Sequence, residues 1–295
     1  MVDLHTHSNA SDGELSPDQL IREAVHRGLC AIALTDHDTI KGIEFARIEA
    51  KKQNIHFIPG IEISIDWKGE KTPDGVSGIG PGGEFHLLGL GLNRPSPGFL
   101  DAINDLSRRR EERNREMLRR MGEIGINASW EDVKSLSGGV SIGRLHFARL
   151  LINRKIVKNQ EQAFARYLGV GKPLYVHKEG MVFEEAVALI RESGGIPVLA
   201  HPGSLYVAWG RLPGLIKALK DRGLMGIEAW HPTAKPRFCR RIAELGISLG
   251  LYLTEGSDFH GSIRPDRSLG HSSPGRKISD QVLEAIPELA MSAAQ

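Results

Sequence analysis

Cysteine is almost absent from this chain: Cys30 and Cys239 are the two in 295 residues, and neither belongs to a Cys-x-x-Cys pair. A disulfide scaffold and a thiolate-held metal are thereby excluded, and two reduced, buried thiols are expected. Long apolar runs are missing as well. No stretch approaches the roughly 18 to 20 residues that span a bilayer, and no basic region followed by an apolar run opens the chain. The expectation is a cytoplasmic protein without a membrane partner. Neither sign of charge dominates, since 38 Lys+Arg face 36 Asp+Glu for a formal charge of +2, so any basic surface must be local. With 40% hydrophobic, 25% charged and 6% aromatic residues, the composition is that of a globular protein rather than of a disordered or collagenous chain. The length allows two medium domains, or one barrel-type domain of roughly 200 to 250 residues with an insertion.

What is present is an alternation of short apolar runs with helix-like segments. Residues 2–4, 30–34 and 56–63 read as strands, with helices over 16–28 and 39–53 between them. Ser16-Pro17-Asp18 supplies a helix cap and a first-turn proline, and Gly28 follows the last periodic residue. The rhythm resumes as helix 183–193, strand 196–200, helix 212–222, strand 226–230, helix 235–245 and strand 251–254. Repeated parallel units of this kind suggest a barrel. Between the two halves, residues 97–173 lack β-rich runs and read as an inserted helical subdomain, leaving 1–96 and 174–295 as the barrel. Ahead of the insertion, the Gly/Pro-rich stretch 68–83 reads as a flexible loop or hairpin tip.

Seven of the twelve histidines fall at or just after these strands, several beside a carboxylate or a second histidine. In chain order the clusters are His5-Thr6-His7 with Asp12, Asp36-His37-Asp38, Glu62, His86, His201-Pro202, His231-Pro232 and Asp258-Phe259-His260. Strand ends of a parallel barrel converge on one face, so these residues can surround one point. Residues i and i+2 of an extended segment share a side, which lets both imidazoles of His-x-His grip one ion. Imidazole and carboxylate without thiolate suit Zn, Mn or Fe, and shared carboxylates allow several ions.

With Asp-Leu-His-Thr-His-Ser at 3–8, Leu-Thr-Asp-His-Asp at 34–38, Pro-Gly-Ile-Glu-Ile-Ser at 59–64, His-Leu-Leu-Gly at 86–89, Ala-His-Pro at 200–202 and Gly-Ser-Asp-Phe-His at 256–260, the chain resembles the PHP (polymerase and histidinol phosphatase) family of metal-dependent phosphoesterases, in its stand-alone branch. The resemblance implies an α/β fold, a distorted (β/α)7 barrel whose helical insertion covers the active site. It also implies up to three divalent ions, Mn first with Fe and Zn as alternatives. One would take His5, His7, Glu62 and Asp258, a second Glu62, His86 and His201, and a third Asp12, His37 and His260. Asp36 is expected to orient an imidazole, and Asp38 to cap the following helix.

Clustered divalent ions would lower the pKa of bound water and screen a phosphate ester, so a metal-bridging hydroxide could attack phosphorus. His231 is the candidate for phosphate binding or acid assistance, and together with Asp258 forms the catalytic assignment. Glu228, three residues before His231, would point to the opposite face under strict alternation, and carries no assigned role. The segment Ser-Ile-Gly-Arg-Leu-His-Phe-Ala-Arg at 141–149 resembles the family's arginine-bearing segment. Arg144 is therefore expected to fork a phosphate, with Lys178, His146 and Arg149 as weaker candidates. Arginines crowd residues 107–120, which read as a solvated helix face laced with ion pairs or as a basic rim for an oligonucleotide. Arg264, Arg267 and His271 lie in a polar tail without an assigned contact.

The resemblance points to a small phosphorylated partner, a nucleotide, and to the 3'-phosphate of nucleoside 3',5'-bisphosphates as the group removed. Alternatives within the family are AMP or cyclic-nucleotide phosphoesterase, 5'-3' trimming of short RNA, and histidinol phosphatase. Outside it stand a non-catalytic metal-binding module and an amidohydrolase. No obligate protein partner is inferred.

Overall fold

The computed structural model describes residues 1–67, 83–136 and 142–290; the 68–83 stretch, apart from Gly83, lies outside them. The described chain divides into two compact units, one made of Met1–Ile103 and Gly180–Gln295, the other of Asn104–Glu179.

In the first unit, seven strands form one sheet in sequence order: β1 (Val2–Asp3), β2 (Ala31–Leu34), β3 (His56–Ser64), β4 (His86–Leu90), β5 (Ile196–Leu199), β6 (Gly226–Trp230) and β7 (Tyr252–Glu255). The first and last strands meet through Leu4 N–H donating to Glu255 O and Asp258 N–H donating to His5 O. The sheet thus closes nearly into a barrel. Its pairs are parallel except those of β4, which runs antiparallel to both β3 and β5. The strand pairs read from the sequence as parallel units are parallel, and β4, a strand that reading did not include, is inserted antiparallel between the two halves. Reversal carries His86, the first residue of β4, to the rim where the parallel strands end.

Alternation sorts the side chains. Ile58 shares a face of β3 with Glu62, and Leu88 and Leu90 share one of β4 with His86. The apolar members pack with Leu4, Ala33, Ile196 and Val198 beneath the polar rim. Each such fully buried aliphatic side chain contributes roughly 1.5–3 kcal/mol. Helix α1 (Pro17–His26) buries Pro17, Leu20, Ile21 and Ala24, one face at helical spacing. Its start is set by a capping box in which Ser16 and Gln19 exchange side-chain and backbone bonds. Helix α2 (Ile43–Gln53) starts four residues later than expected and has no side-chain cap. Asp38 is committed elsewhere, accepting from Ser64 N (2.8 Å) and Ser64 Oγ (3.2 Å).

The second unit is helical among the described residues. It holds most of α3 (Pro97–Glu123), then α4 (Trp130–Leu136), α5 (Arg144–Asn153) and α6 (Gln160–Ala163), around Met117, Met121, Val133, Phe147, Leu151 and Leu168. On α3, Arg108, Arg109, Arg115, Arg119 and Arg120 all pair with carboxylates three or four residues away on the same helix. The first unit continues with α7 (Phe183–Glu192), α8 (Leu212–Asp221) and α9 (Pro236–Ser248), each following the order the sequence implies.

Among the described residues no helix is long and apolar enough to cross a membrane. Cys239 is buried as expected, but Cys30 is exposed. It precedes β2, with its thiol donating to Met1 O.

Candidate metal centre

Beyond β1 the chain stays extended, and Thr6 pairs with Phe259 beyond β7. His5 and His7 consequently project to one side, their Nε2 atoms 3.1 Å apart, while the Thr6 hydroxyl donates to Ala33 O on β2. After β2, His37 pairs with Glu62 of β3. Asp36 accepts from Ser8 N (2.8 Å), Ser8 Oγ (2.6 Å) and Ser11 Oγ (2.6 Å), fixing the loop that carries Asp12. It orients no imidazole directly, contrary to expectation. Ser11 stands between, its Oγ 3.4 Å from His7 Nδ1.

The ends of β5 and β7 turn through left-handed conformations at His201 (φ 25°) and Asp258 (φ 50°). Such non-glycine geometry costs of order 1–3 kcal/mol and persists where the surroundings enforce it. At Gly256 a Cβ would lie 2.3 Å from His5 Cβ and 2.7 Å from Glu228 Oε1. Only glycine lets β7 approach so closely.

Three sets of ligand atoms lie within 4.8 Å of one another: His5, His7, Glu62 and Asp258; His7, Asp12, His37 and His260; and His37, Glu62 and His86. Glu62 is their hub. Its Oε2 faces His5 (3.3 Å), His7 (3.2 Å) and His37 (3.0 Å), and its Oε1 faces His86 Nδ1 and His201 Nε2 at 2.8 Å each. His201 thus joins His86 and Glu62, as grouped from the sequence, while His37 stands near that set as well. Asp12 and His37, with side chains 25% and 17% exposed, mark the open side.

Hydrogen bonds settle which ring nitrogens face inward. Asp258 O can only accept, so His260 donates from Nδ1 (2.7 Å). His5 donates from Nδ1 to Glu228 Oε1 (3.0 Å), and His201 Nδ1 is engaged by Ser204 Oγ (2.6 Å). Their Nε2 lone pairs therefore point into the centre. His231 is the opposite case. Thr233 N–H donates to its Nδ1, so Nε2–H donates to Asp258 Oδ2 at 3.0 Å. It carries a proton into the site rather than a lone pair.

Electrostatics follow from the same geometry. Burial pushes Glu62 and Asp258 up, but the surrounding imidazoles hold both well below the usual carboxylate range. Burial pulls His5 and His7 down, and the carboxylates outweigh it, raising His5 well above its ordinary value and His7 to about 10. At His37 burial wins and the ring is held well below 6.5; burial likewise lowers His231. Glu62 Oε2 and His37 Nδ1 are buried and 3.0 Å apart, yet no hydrogen bond satisfies either. Converging lone pairs, orphaned acceptors and a donor set of imidazole and carboxylate fit divalent cations.

Residues 3–176 match the family described as PHP domain. The chain belongs to the PHP domain family. Across 92% of its length it is 32% identical to a 3',5'-nucleoside bisphosphate phosphatase of Chromobacterium violaceum, covering 91% of that protein. It is 35% identical to a 5'-3' exoribonuclease of Haemophilus influenzae over 88% of this chain and 89% of the other. Among solved structures it resembles one described as an amidohydrolase from Chromobacterium violaceum, with bound SO4 and no metal, at TM-score 0.79, 30% identity and 96% coverage of both chains.

Within this PHP domain chain two residues at the centre escaped sequence reasoning. Glu228 is fully buried, bonds His5, and accepts from His201 N at 2.7 Å. Strict alternation would have turned it away from His231. A register shift between Glu228 and Trp230 breaks that alternation, so both side chains reach the centre. Arg267, left without a contact, donates to Asp258 through both its backbone and carboxylate oxygens. Arg144 opens α5 in the second unit, with its guanidinium over Phe164, and Lys178 lies in an irregular stretch of that unit. His146 is buried and accepts from Gly143 N.

Proposed function

We propose that this protein is a metal-dependent phosphoesterase that removes the 3'-phosphate from nucleoside 3',5'-bisphosphates and leaves 5'-nucleotides. The observation that carries the reading is the buried convergence of imidazole lone pairs on Glu62 and Asp258, open on the Asp12 and His37 side. The substrate rests on the similarity to the Chromobacterium violaceum phosphatase across nearly the whole chain.

His5, His7, Glu62 and Asp258 would hold one ion, Glu62, His86 and His201 a second, and Asp12, His37 and His260 a third. Mn is the first choice, with Fe and Zn as alternatives. Bound there, such ions lower the pKa of water towards about 7 and offset the charge of the phosphate. The chain supplies the rest. Glu228 keeps His5 in the tautomer that offers Nε2, and the Asp258 carbonyl does the same for His260. Asp258 Oδ2 would receive the proton of the attacking water and return it to Nε2 of its hydrogen-bond partner His231 as the Nε2 proton passes to the leaving 3'-oxygen, so that the imidazole ends neutral as it began. The assignment of Arg144 and Lys178 to the substrate phosphate belongs to the same proposal. Arg144→Ala should raise KM more than it lowers kcat.

The test is product identification with Mn-reconstituted full-length protein and adenosine 3',5'-bisphosphate. Free phosphate and 5'-AMP are expected. Formation of 3'-AMP, or preferential turnover of histidinol phosphate, 5'-AMP or an amide substrate in the same panel, would overturn the reading.

A further inference from the structure

The loop that follows His260 is tied to the rim of the metal centre at both of its ends. At its start Ser262 N–H donates to Glu14 Oε2 (2.5 Å) and Glu14 N–H donates to His260 O (3.1 Å), which lays the loop against the segment carrying Asp12. Gly261 permits that approach with a left-handed backbone (φ 79°), since a Cβ there would lie 2.4 Å from Glu14 Oε2. At its end Gly270 N–H donates to Oδ2 of the buried Asp3 (2.7 Å). Between these ties, turns closed by Arg264 N–H to Gly261 O (3.2 Å) and by Arg267 N–H to Arg264 O (3.0 Å) bring Arg267 back to the centre.

The Arg267 side chain is 12% exposed and spends one end of its guanidinium on Asp258. Nη1 donates both to Asp258 O (3.2 Å) and to Asp258 Oδ2. The side-on edge, Nε with Nη2, presents two parallel N–H groups, and among the described residues neither meets an acceptor. Nε is buried as well. A buried donor without an acceptor is costly and calls for a ligand. Asp258 Oδ2 also accepts from His231 Nε2–H (3.0 Å), so the open edge stands beside the group that faces the leaving oxygen in the reaction proposed above. A clamp on Asp258 alone would need only Nη1, and an ammonium would serve as well. A planar pair of donors matches two oxygens of a phosphate.

We propose that Arg267 grips the phosphate being hydrolysed through Nε and Nη2, and that this grip selects a terminal phosphate over a phosphodiester. Oxygen count gives the selectivity. The fork takes two non-bridging oxygens and the ions at least one, so three are needed. A monoester has three and carries two charges, whereas a diester has two and carries one. The proposal rests on the phosphoesterase reading above and deepens it, by assigning the choice between monoester and diester to one side chain of the first unit.

Equilibrium binding needs no turnover and so separates the fork from the catalytic reading. Full-length, Mn-reconstituted protein is titrated by calorimetry at about pH 8, above the second ionisation of a phosphate, with inorganic phosphate and with dimethyl phosphate, a diester monoanion. The unmodified protein should bind phosphate the more tightly. Arg267→Lys keeps a cation beside Asp258 but removes the side-on pair. It should retain the full metal complement, weaken phosphate about tenfold or more and change dimethyl phosphate less than about twofold. Arg267→Gln should lose at least as much phosphate affinity. Phosphate binding in Arg267→Lys within about twofold of the unmodified protein would overturn the fork, as would equal losses on the two anions. Loss of metal in both variants would overturn it too, by making Arg267 a support of Asp258 alone. Phosphate release from adenosine 3',5'-bisphosphate is measured separately; its absence beside an intact preference for phosphate would sink the catalytic reading and leave the fork standing.

Discussion

Glu228 bonds two members of the centre at once, the His5 ring and the His201 backbone, from a fully buried position. Glu228→Gln keeps the shape but removes the charge that fixes the His5 tautomer, and should weaken metal binding about 10- to 100-fold. Competitive chelator titration measures it. His231 makes a contrasting prediction, because its inward nitrogen carries the proton. His231→Gln should retain the full metal complement while kcat falls about 10²- to 10⁴-fold; loss of metal in parallel with activity would make His231 a ligand instead. The residues proposed as ligands were legible in the sequence because each sits in a short motif beside a strand end, as in His5-Thr6-His7 or Asp258-Phe259-His260. Glu228 and Arg267 were not. The first depends on a break in strand alternation, and the second on the path of a tail that has no periodicity.

Elements decide how these residues meet. Strand β4 delivers His86 to the rim because it runs backwards, and a five-residue apolar run reads the same in either direction, so its reversal was hidden in the sequence. Helix α1 was legible to within two residues because its signals are local: Ser16, Pro17 and Gln19 fix the start, and the spacing of Leu20, Ile21 and Ala24 fixes the buried face. Asp38 misled because an aspartate ahead of a helix resembles a cap, while its side chain is spent on Ser64 of β3. Two substitutions separate stability from function at this scale. Ser16→Ala should cost about 1 kcal/mol in thermal or denaturant unfolding without altering kcat. Gly256→Ala forces a Cβ into His5 and Glu228, and should reduce metal content even where the protein still folds.

At the scale of the whole molecule, the bare centre binds protons that metal would displace. In the metal-free protein His5, His7 and His201 titrate above their ordinary 6.5. The stability they contribute is therefore fully present below about 6.5 and is lost as pH rises, for His7 through about 10. His37 and His231 are lowered and finish titrating below that window. Melting of chelator-treated protein should therefore fall in temperature from pH 7 to pH 10, and metal-loaded protein should lose less. A metal-free melting temperature that rises across this range would contradict the electrostatics. The central claim, that these imidazoles and carboxylates bind the ions on which phosphoesterase activity depends, is tested most directly by stoichiometric reconstitution. Protein stripped of metal is titrated with Mn while phosphate release from adenosine 3',5'-bisphosphate is followed, in parallel with Asp258→Ala. Activity should be absent without metal, rise with bound equivalents to a plateau at no more than three, and stay absent in the variant. Full activity in the stripped protein, or in Asp258→Ala, would contradict it.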